Sequence, residues 1–271
     1  MLGISLTSGC RFNDNLRVIP KRTFPSIRRE PTAMASSAAS SLRQRARAPT
    51  DAELAGIHWL PLLSDGERRL VSGSLQVGNA EPGDRVCRFG APSTFWFGVI
   101  DGLLKMSNVG AEGQQITYTG IPPGAWFGEG TLLKREVYRY NIEALRRSTV
   151  AGLPISVFWQ LLERSIPFNR FVMTQLNERL GQFIAAREID RDNSPDARVA
   201  RSLAALFHPV LYPGVGQLLR ITQQELAWLV GLSRQRVNQA LVRLQRSGLI
   251  GIEYGGVRVI DLAALRGYPG R

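Results

Sequence analysis

The feature that most restricts the fold is the segment Thr222–Gln245, whose residues fit two helices joined by a tight turn. Thr222 and Glu225 have the spacing of a capping box, which starts a helix. Gly231 can adopt the left-handed backbone that a three-residue turn needs, and Ser233 can cap the second helix. The positions that would face inward are apolar: Leu226, Val230, Val237, Leu241 and Leu244. The segment therefore predicts a helix-turn-helix.

The outer face of the second helix is polar. It carries Arg234, Gln235, Asn238 and Gln239. Arg can pair bidentately with guanine in the major groove of DNA, and Asn or Gln can pair with adenine. This face is therefore expected to read base edges.

A β-hairpin is expected directly after the second helix, since Leu249–Tyr254 and Val257–Ile260 flank the pair Gly255–Gly256. A hairpin at this position would be the wing of a winged helix. Glu225 is the only acidic residue between 220 and 247, against five arginines: Arg220, Arg234, Arg236, Arg243 and Arg246. Such an excess favours contacts with phosphates, so the expected partner is double-stranded DNA.

The rest of the 271-residue chain is long enough for a second domain. Short β-rich segments separated by turn signals predict a small β-barrel or sandwich over about residues 70–155. The clearest strands are Phe95–Ile100, Gly102–Ser107, Gln115–Thr119 and Thr149–Leu153. A helical pattern precedes them at Asp51–Leu63.

Helices are predicted after the barrel, first at Pro154–Leu162 and then from Pro167 to about Ile189. The second carries an apolar stripe at steps of three and four residues: Val172, Leu176, Leu180, Phe183 and Ile184. Such a stripe can pack on a second copy of the chain as a coiled coil, or on the β-domain of its own chain. Asp192–Asp196 breaks this helix, and Ser194 with Pro195 starts the next.

The first fifty residues are basic and rich in Ser and Ala, which is typical of a disordered tail. They contribute nine of the basic and two of the acidic residues, so the net charge of +12 falls to near +5 without them. A transit peptide and an upstream extension of a reading frame starting nearer Met34 are the alternatives. Cys10 and Cys87 are too few for a disulfide framework or a metal cluster, and no apolar run could span a membrane. A cytoplasmic, non-membrane protein is expected.

The helix-turn-helix, the long helix and the segment Pro123–Gly130 together resemble the Crp/Fnr family of bacterial regulators over about residues 55–262. The resemblance implies an α+β fold. Its parts would be an N-terminal double-stranded β-helix (jelly-roll) sensor domain at 51–164, a dimerisation helix at 165–192 and a winged helix-turn-helix domain at 193–271, after a tail at 1–50.

The resemblance also implies an effector site. In the family a cyclic nucleotide lies against a cassette that begins Phe-Gly-Glu, which matches Phe127, Gly128 and Glu129, followed here by Gly130. Glu129 would take the ribose 2′-hydroxyl, and Arg139 would pair with the cyclic phosphate.

This sequence departs from the family pattern at Tyr140, where a Ser or Thr usually donates to the phosphate. The long helix also has no Ser or Thr between Gln175 and Asp192 to reach the purine. Both departures disfavour cyclic AMP. Only Cys87 lies in the body of the chain, and the only histidines are His58 and His208, so an iron–sulfur cluster or haem is not expected. No cofactor is implied; a cyclic nucleotide, another small molecule and no effector remain as alternatives.

The resulting hypothesis is a homodimeric transcription regulator that binds a palindromic operator and contacts RNA polymerase. Base contacts are expected from Arg234, Gln235 and Gln239, and phosphate contacts from Thr222, Gln224 and Ser233. Arg236 and Asn238 complete the predicted DNA surface. The alternatives are a cyclic-nucleotide-binding adaptor without DNA binding, and an enzyme that uses Glu129 and Arg139, although the sequence holds no nucleophile with a His partner and no Walker-type loop.

Overall fold

The protein structure is a computed structural model that describes residues 46–110, 112–190 and 194–269. The predicted tail therefore lies outside the described residues except for 46–50, as do Asp192 and Asn193 of the predicted helix break. Arg47 exchanges backbone hydrogen bonds of 2.9 and 2.8 Å with Val77. The folded chain thus includes residues before position 50, where the sequence had placed the end of the tail.

Two short helices lead into the barrel: α1 at Asp51–Ala55 and α2 at Asp65–Ser74, with a 3₁₀ turn at Leu60–Leu62 between them. Each helix starts at a capping box, formed by Thr50 with Glu53 and by Ser64 with Glu67. The sequence predicted helical structure only for 51–63, so α2 was missed. Most residues of α2 are polar, and Val71 is its one buried side chain, so the sequence shows little of the apolar periodicity that indicates a helix.

The barrel has eight strands in two antiparallel sheets. One sheet has the order β1-β8-β3-β6 and the other β2-β7-β4-β5. The strands are β1 Gln76–Ala80, β2 Arg85–Cys87, β3 Phe95–Asp101, β4 Leu104–Val109, β5 Gln115–Ile121, β6 Trp126–Phe127, β7 Asn141–Ala144 and β8 Ser148–Pro154. The four strands predicted from sequence are confirmed as β3, β4, β5 and β8, and the other four are shorter or less apolar.

The helices that follow are α3 at Glu129–Lys134, inside the barrel region, α4 at Ile155–Arg164 and α5 at Ile166–Asp190. Helices α4 and α5 close one side of the barrel around an aromatic core of Trp59, Trp96, Trp126, Phe158 and Phe168. The rings of Trp96 and Trp126 lie 4.5 Å apart. This core joins the residues before the barrel to the long helix.

The apolar stripe of the long helix divides between two surroundings. Val172 is fully buried in the aromatic core and Leu176 packs at its edge. Leu180, Phe183 and Ile184 are exposed. The first half of α5 thus packs on its own barrel, as one of the two alternatives predicted, and the second half presents apolar side chains to solvent.

The C-terminal part is a winged helix-turn-helix. It comprises α6 Pro195–Ala205, β9 Leu218–Arg220, α7 Gln223–Val230, α8 Arg234–Arg246, β10 Ile250–Glu253, β11 Gly256–Val259 and α9 Leu262–Arg266. Ser194 caps α6 with Pro195 at its first position, as predicted. Strand β9 adds a third, antiparallel strand to the hairpin. Within the described residues no helix is both long and apolar enough to cross a bilayer.

Candidate nucleic-acid interface

Local interactions build the helix-turn-helix as the sequence predicted. The Thr222 hydroxyl accepts from the backbone N–H of Glu225 at 3.2 Å, and the Glu225 carboxylate accepts from the backbone N–H of Thr222 at 2.7 Å. Gly231 ends α7 with φ 67° and ψ 35°, a backbone that a side chain would strain. The Ser233 hydroxyl then accepts from the N–H of Arg236 at 3.2 Å and starts α8.

The two faces of α8 differ as expected. Val237, Ala240, Leu241 and Leu244 are buried against α6 and α7. Arg234, Gln235, Asn238 and Gln239 are all exposed. Asn238 Oδ1 accepts from Gln223 Nε2 at 2.8 Å, so the start of α7 steadies one of these side chains. The polar face of α8 is thus exposed to solvent, while the opposite, apolar face packs the helix onto its domain.

Arg236 differs from its neighbours because it turns toward α6. Its guanidinium lies 3.6 Å from an Asp196 carboxylate oxygen and donates to Gln239 Oε1 at 3.0 Å. Arg243 also pairs with Asp196. Asp196 thus partly neutralises two of the five arginines between 220 and 247, while Arg220, Arg234 and Arg246 are exposed.

The wing is a two-residue hairpin whose turn lies one position earlier than predicted. Glu253 pairs with Gly256, so the turn is Tyr254–Gly255 and Gly256 belongs to β11. Gly255 has φ 73°, and Gly256 cannot carry a Cβ because one would lie 2.8 Å from the Leu219 carbonyl oxygen of β9. The approach of the third strand therefore sets the register.

A cleft of about 450 Å³ lies between the start of α7 and the wing. Thr222, Gln224 and Arg234 line it from one side, and Glu253 and Gly255 from the other. Thr222 and Arg234 are exposed and Gln224 is half-buried. The cleft brings two residues predicted to contact phosphate beside one predicted to contact bases.

The cassette residues named as a candidate effector site take mainly structural positions. Phe127 is buried in β6 and stacks on Phe97 at 6.0 Å. Gly128 has φ 96° and caps α3. Gly130 faces α5, since a Cβ there would lie 4.0 Å from a Leu176 methyl. These positions join the barrel to the long helix.

Glu129 is buried and paired with Arg179 of α5, a residue that the sequence analysis did not identify. Arg179 Nε donates to Glu129 Oε1 at 2.7 Å, and Nη2 donates to the Trp126 carbonyl oxygen at 2.8 Å. Burial opposes the Arg179 charge, but Glu129 outweighs it and raises the pKa of the guanidinium above its usual range. The acid predicted to hold a ribose hydroxyl is thus bound by an internal cation.

Arg139 lies at the surface. Its side chain is 72% exposed and pairs with Glu136 at 3.0 Å. Tyr140 is half-buried, 3.4 Å from the Thr131 hydroxyl, and burial raises its pKa to about 12. Glu129 and Arg139 thus each pair with a different side chain of the protein, Arg179 and Glu136.

The residues considered for metal or haem binding are also dispersed. Cys87 is buried in the barrel, where desolvation raises the pKa of its thiol to about 12. Burial likewise lowers the pKa of His58 to about 4. Across residues 46–110, 112–190 and 194–269, no group of three or more His, Cys, Asp or Glu side chains could hold a metal ion.

Comparison with known proteins finds both parts of this architecture. Residues 78–165 match the cyclic nucleotide-binding domain family, and residues 197–268 match the Crp-like helix-turn-helix domain family. Transcriptional regulator LdrP of Thermus thermophilus is 30% identical over 168 residues, covering 61% of this chain and 82% of the relative. A cyclic AMP receptor protein of the same organism is 28% identical, over 62% of this chain and 76% of its own.

Solved structures show the same fold at lower identity. FixK2 of Bradyrhizobium japonicum superposes with a TM-score of 0.56 at 15% identity, covering 71% of this chain and 96% of its own. A putative cAMP-binding regulatory protein from Silicibacter pomeroyi superposes with a TM-score of 0.54 at 19% identity, covering 81% of this chain and 99% of its own.

Proposed function

The chain belongs to the Crp/Fnr family of transcription regulators, and from this premise we propose that it binds a palindromic DNA operator as a homodimer. One observation carries the proposal. The polar face of α8, at Arg234, Gln235, Asn238 and Gln239, is exposed beside an open wing while the opposite face is buried. A helix of this kind enters the major groove in winged-helix proteins.

The proposed contacts divide into two classes. Arg234, Gln235 and Gln239 read base edges, with Asn238 beside them. Thr222, Gln224 and Ser233 contact phosphates next to the cleft at the start of α7, and the exposed Arg220 and Arg246 add charge. Arg236 contributes less than Arg234 because Asp196 already takes part of its charge.

Dimerisation is proposed through the exposed apolar side of α5. Ile166, Met173, Leu180 and Ile184 are each more than half exposed, and their spacing of seven, seven and four residues is that of a coiled-coil seam. A two-fold axis along this seam would present two copies of α8 to half-sites about 34 Å apart, one turn of B-DNA.

The dimer is tested by Leu180→Glu, which places a charge in the seam. Sedimentation velocity should give a monomer for this variant and a dimer for the wild type. Leu62→Glu is the matched control, since Leu62 is also an exposed leucine but lies in the 3₁₀ turn before α2, away from α5 in sequence. A Leu180→Glu protein that remains dimeric contradicts this interface.

DNA recognition is tested by selecting operators from random DNA and measuring affinity against salt. Affinity should fall steeply as salt rises, which an adaptor or an enzyme without DNA binding would not show. Arg234→Ala should cost about 1–3 kcal/mol and relax the preference at one base pair.

Arg164→Ala on α4 is the control for this substitution, because it removes the same exposed charge at the barrel. It should leave base preference unchanged. Equal discrimination by Arg234→Ala and wild type would contradict the assignment of Arg234. In vitro transcription on the selected operator then tests contact with RNA polymerase.

We propose further that DNA binding does not require cyclic AMP. Arg179 takes the Glu129 carboxylate, Arg139 pairs at the surface, and Tyr140 stands where a phosphate donor would be. Operator affinity should be the same with and without the nucleotide. A ligand at 100 times its dissociation constant would raise the unfolding free energy by about 2.7 kcal/mol, so a shift of that size with cyclic AMP would contradict this part of the proposal.

A further inference from the structure

Among the described ion pairs, one joins the barrel to the winged domain of the same chain, and it ends on the cap of α7. Arg146 lies between β7 and β8. Its Nη2 donates to Glu225 Oε2 at 2.8 Å and to the Arg220 carbonyl oxygen at 2.7 Å. The Glu225 side chain is 7% exposed and that of Arg146 is 27% exposed. The pair is therefore shielded from solvent, where charge-assisted hydrogen bonds are strong.

The same carboxylate oxygen serves both domains. Glu225 Oε2 accepts from the backbone N–H of Thr222 at 2.7 Å, which completes the capping box, and also from Arg146. A displacement of Arg146 therefore pulls directly on the first turn of α7. Because α7 packs on α8, that displacement is transmitted to the recognition face.

Hydrogen bonds to the barrel hold the backbone on both sides of Arg146. Its carbonyl oxygen accepts from the buried Ser148 hydroxyl at 2.8 Å, and Ser148 Oγ accepts from the backbone N–H of Leu103 at 3.1 Å. Leu145 N–H donates to the Leu103 carbonyl oxygen at 2.9 Å. The turn that carries Arg146 is thus tied to the barrel on both sides.

The two domains also meet in backbone and apolar contacts. The backbones of Gly124 in the barrel and Gly214 in the winged domain are so close that a Cβ on Gly124 would lie 2.5 Å from the Gly214 nitrogen. A Cβ on Gly120 of β5 would also lie 2.8 Å from a Leu206 methyl and 2.9 Å from a Leu229 methyl. Apolar packing of this kind is not directional, whereas the ion pair fixes the direction from Arg146 to Glu225.

We propose that Arg146 is the positioning residue that sets the angle of the recognition helix relative to the barrel, and hence the half-site spacing that the dimer accepts. The effect on half-site spacing rests on the proposed function. Arg147 is the natural comparison, because it is the next residue, is 72% exposed and contacts only the barrel residue Glu81, at 3.6 Å, among the described ion pairs.

The first experiment needs no DNA. Amide hydrogen exchange is measured on the full chain for wild type, Arg146→Ala, Arg147→Ala and Glu225→Gln. Gln can still accept in a capping box, so Glu225→Gln removes the charge and keeps the cap. Arg146→Ala and Glu225→Gln should each speed amide exchange at the start of α7 by about tenfold, which is the effect expected from the loss of one charged hydrogen bond. Exchange in Arg147→Ala should match that of the wild type.

If Arg146→Ala fails to fold, Glu225→Gln carries the same test. Wild-type protection at the start of α7 in Glu225→Gln and in any folded Arg146→Ala protein overturns the proposal.

The second experiment compares operators with one base pair added or removed between the half-sites. Each base pair moves one half-site by about 3.4 Å and turns it by about 35°. Wild type and Arg147→Ala should prefer one spacing by about tenfold or more, and Arg146→Ala should bind all three within about threefold.

An Arg146→Ala protein that keeps the wild-type spacing preference, or that loses affinity equally at every spacing, overturns the positioning role. A wild type that binds no palindromic operator instead contradicts the proposed dimeric function, and the exchange experiment still decides whether Arg146 holds the domains together.

Discussion

Replacing Arg179 with Ala should destabilise the fold by about 3–5 kcal/mol, because it leaves a buried carboxylate without its counter-charge. Glu129 is 2% exposed and its Oε2 has no hydrogen-bond partner among the described residues, so Arg179 supplies the carboxylate's side-chain partner at Oε1. The variant also removes the donor to the Trp126 carbonyl oxygen. Both losses fall where water cannot readily replace them.

Urea denaturation at fixed protein concentration measures this loss, since the stability of the proposed dimer would depend on concentration. Adding Glu129→Gln to Arg179→Ala removes the charge and should recover part of the loss. Arg139→Ala is the control, because its exposed pair with Glu136 should contribute less than about 1 kcal/mol. Equal small losses for Arg179→Ala and Arg139→Ala would refute the argument.

Three further results are expected. Between pH 7.5 and 5 the unfolding free energy of the wild type should fall by up to about 2 kcal/mol relative to that of His58→Gln. The reason is that burial lowers the pKa of folded His58 to about 4, so only the unfolded histidine takes up a proton in that range. Parallel pH curves of the two proteins in urea denaturation would contradict this. Gly214→Ala should cost about 1–3 kcal/mol, because its Cβ would lie 2.8 Å from the Pro123 backbone, whereas Gly73→Ala, which meets open space in α2, should be neutral or stabilising in thermal denaturation. Cys87 should escape iodoacetamide at pH 8 in folded protein and react in urea, since burial raises its pKa to about 12; peptide mapping that finds Cys87 modified in the native protein would contradict its burial.

Four barrel strands and the helix-turn-helix could be predicted because their signals are local. A capping box joins residues three apart, as in Thr222 and Glu225, and the turn needs one left-handed residue at Gly231. The alternation of a barrel strand and the inward face of α8 are also written in consecutive residues. Short-range geometry of this kind survives in any tertiary context that keeps the helix or strand.

The resemblance also indicated where the chain departs from the family pattern, at Tyr140. It did not indicate the partner of Glu129. Fifty residues separate Glu129 from Arg179, and nothing local to either one predicts that α5 passes over the cassette.

Only the tertiary structure decided which charges meet. Arg146 and Glu225 are 79 residues apart, and Asp196 reaches Arg243 across 47. The sequence determined that Glu225 would cap a helix, and the packing of the winged domain on the barrel decided that the same carboxylate also anchors Arg146. The physical reason is that an ion pair needs its two groups within a few ångströms, a distance set by how whole helices and sheets pack rather than by the residues beside either charge.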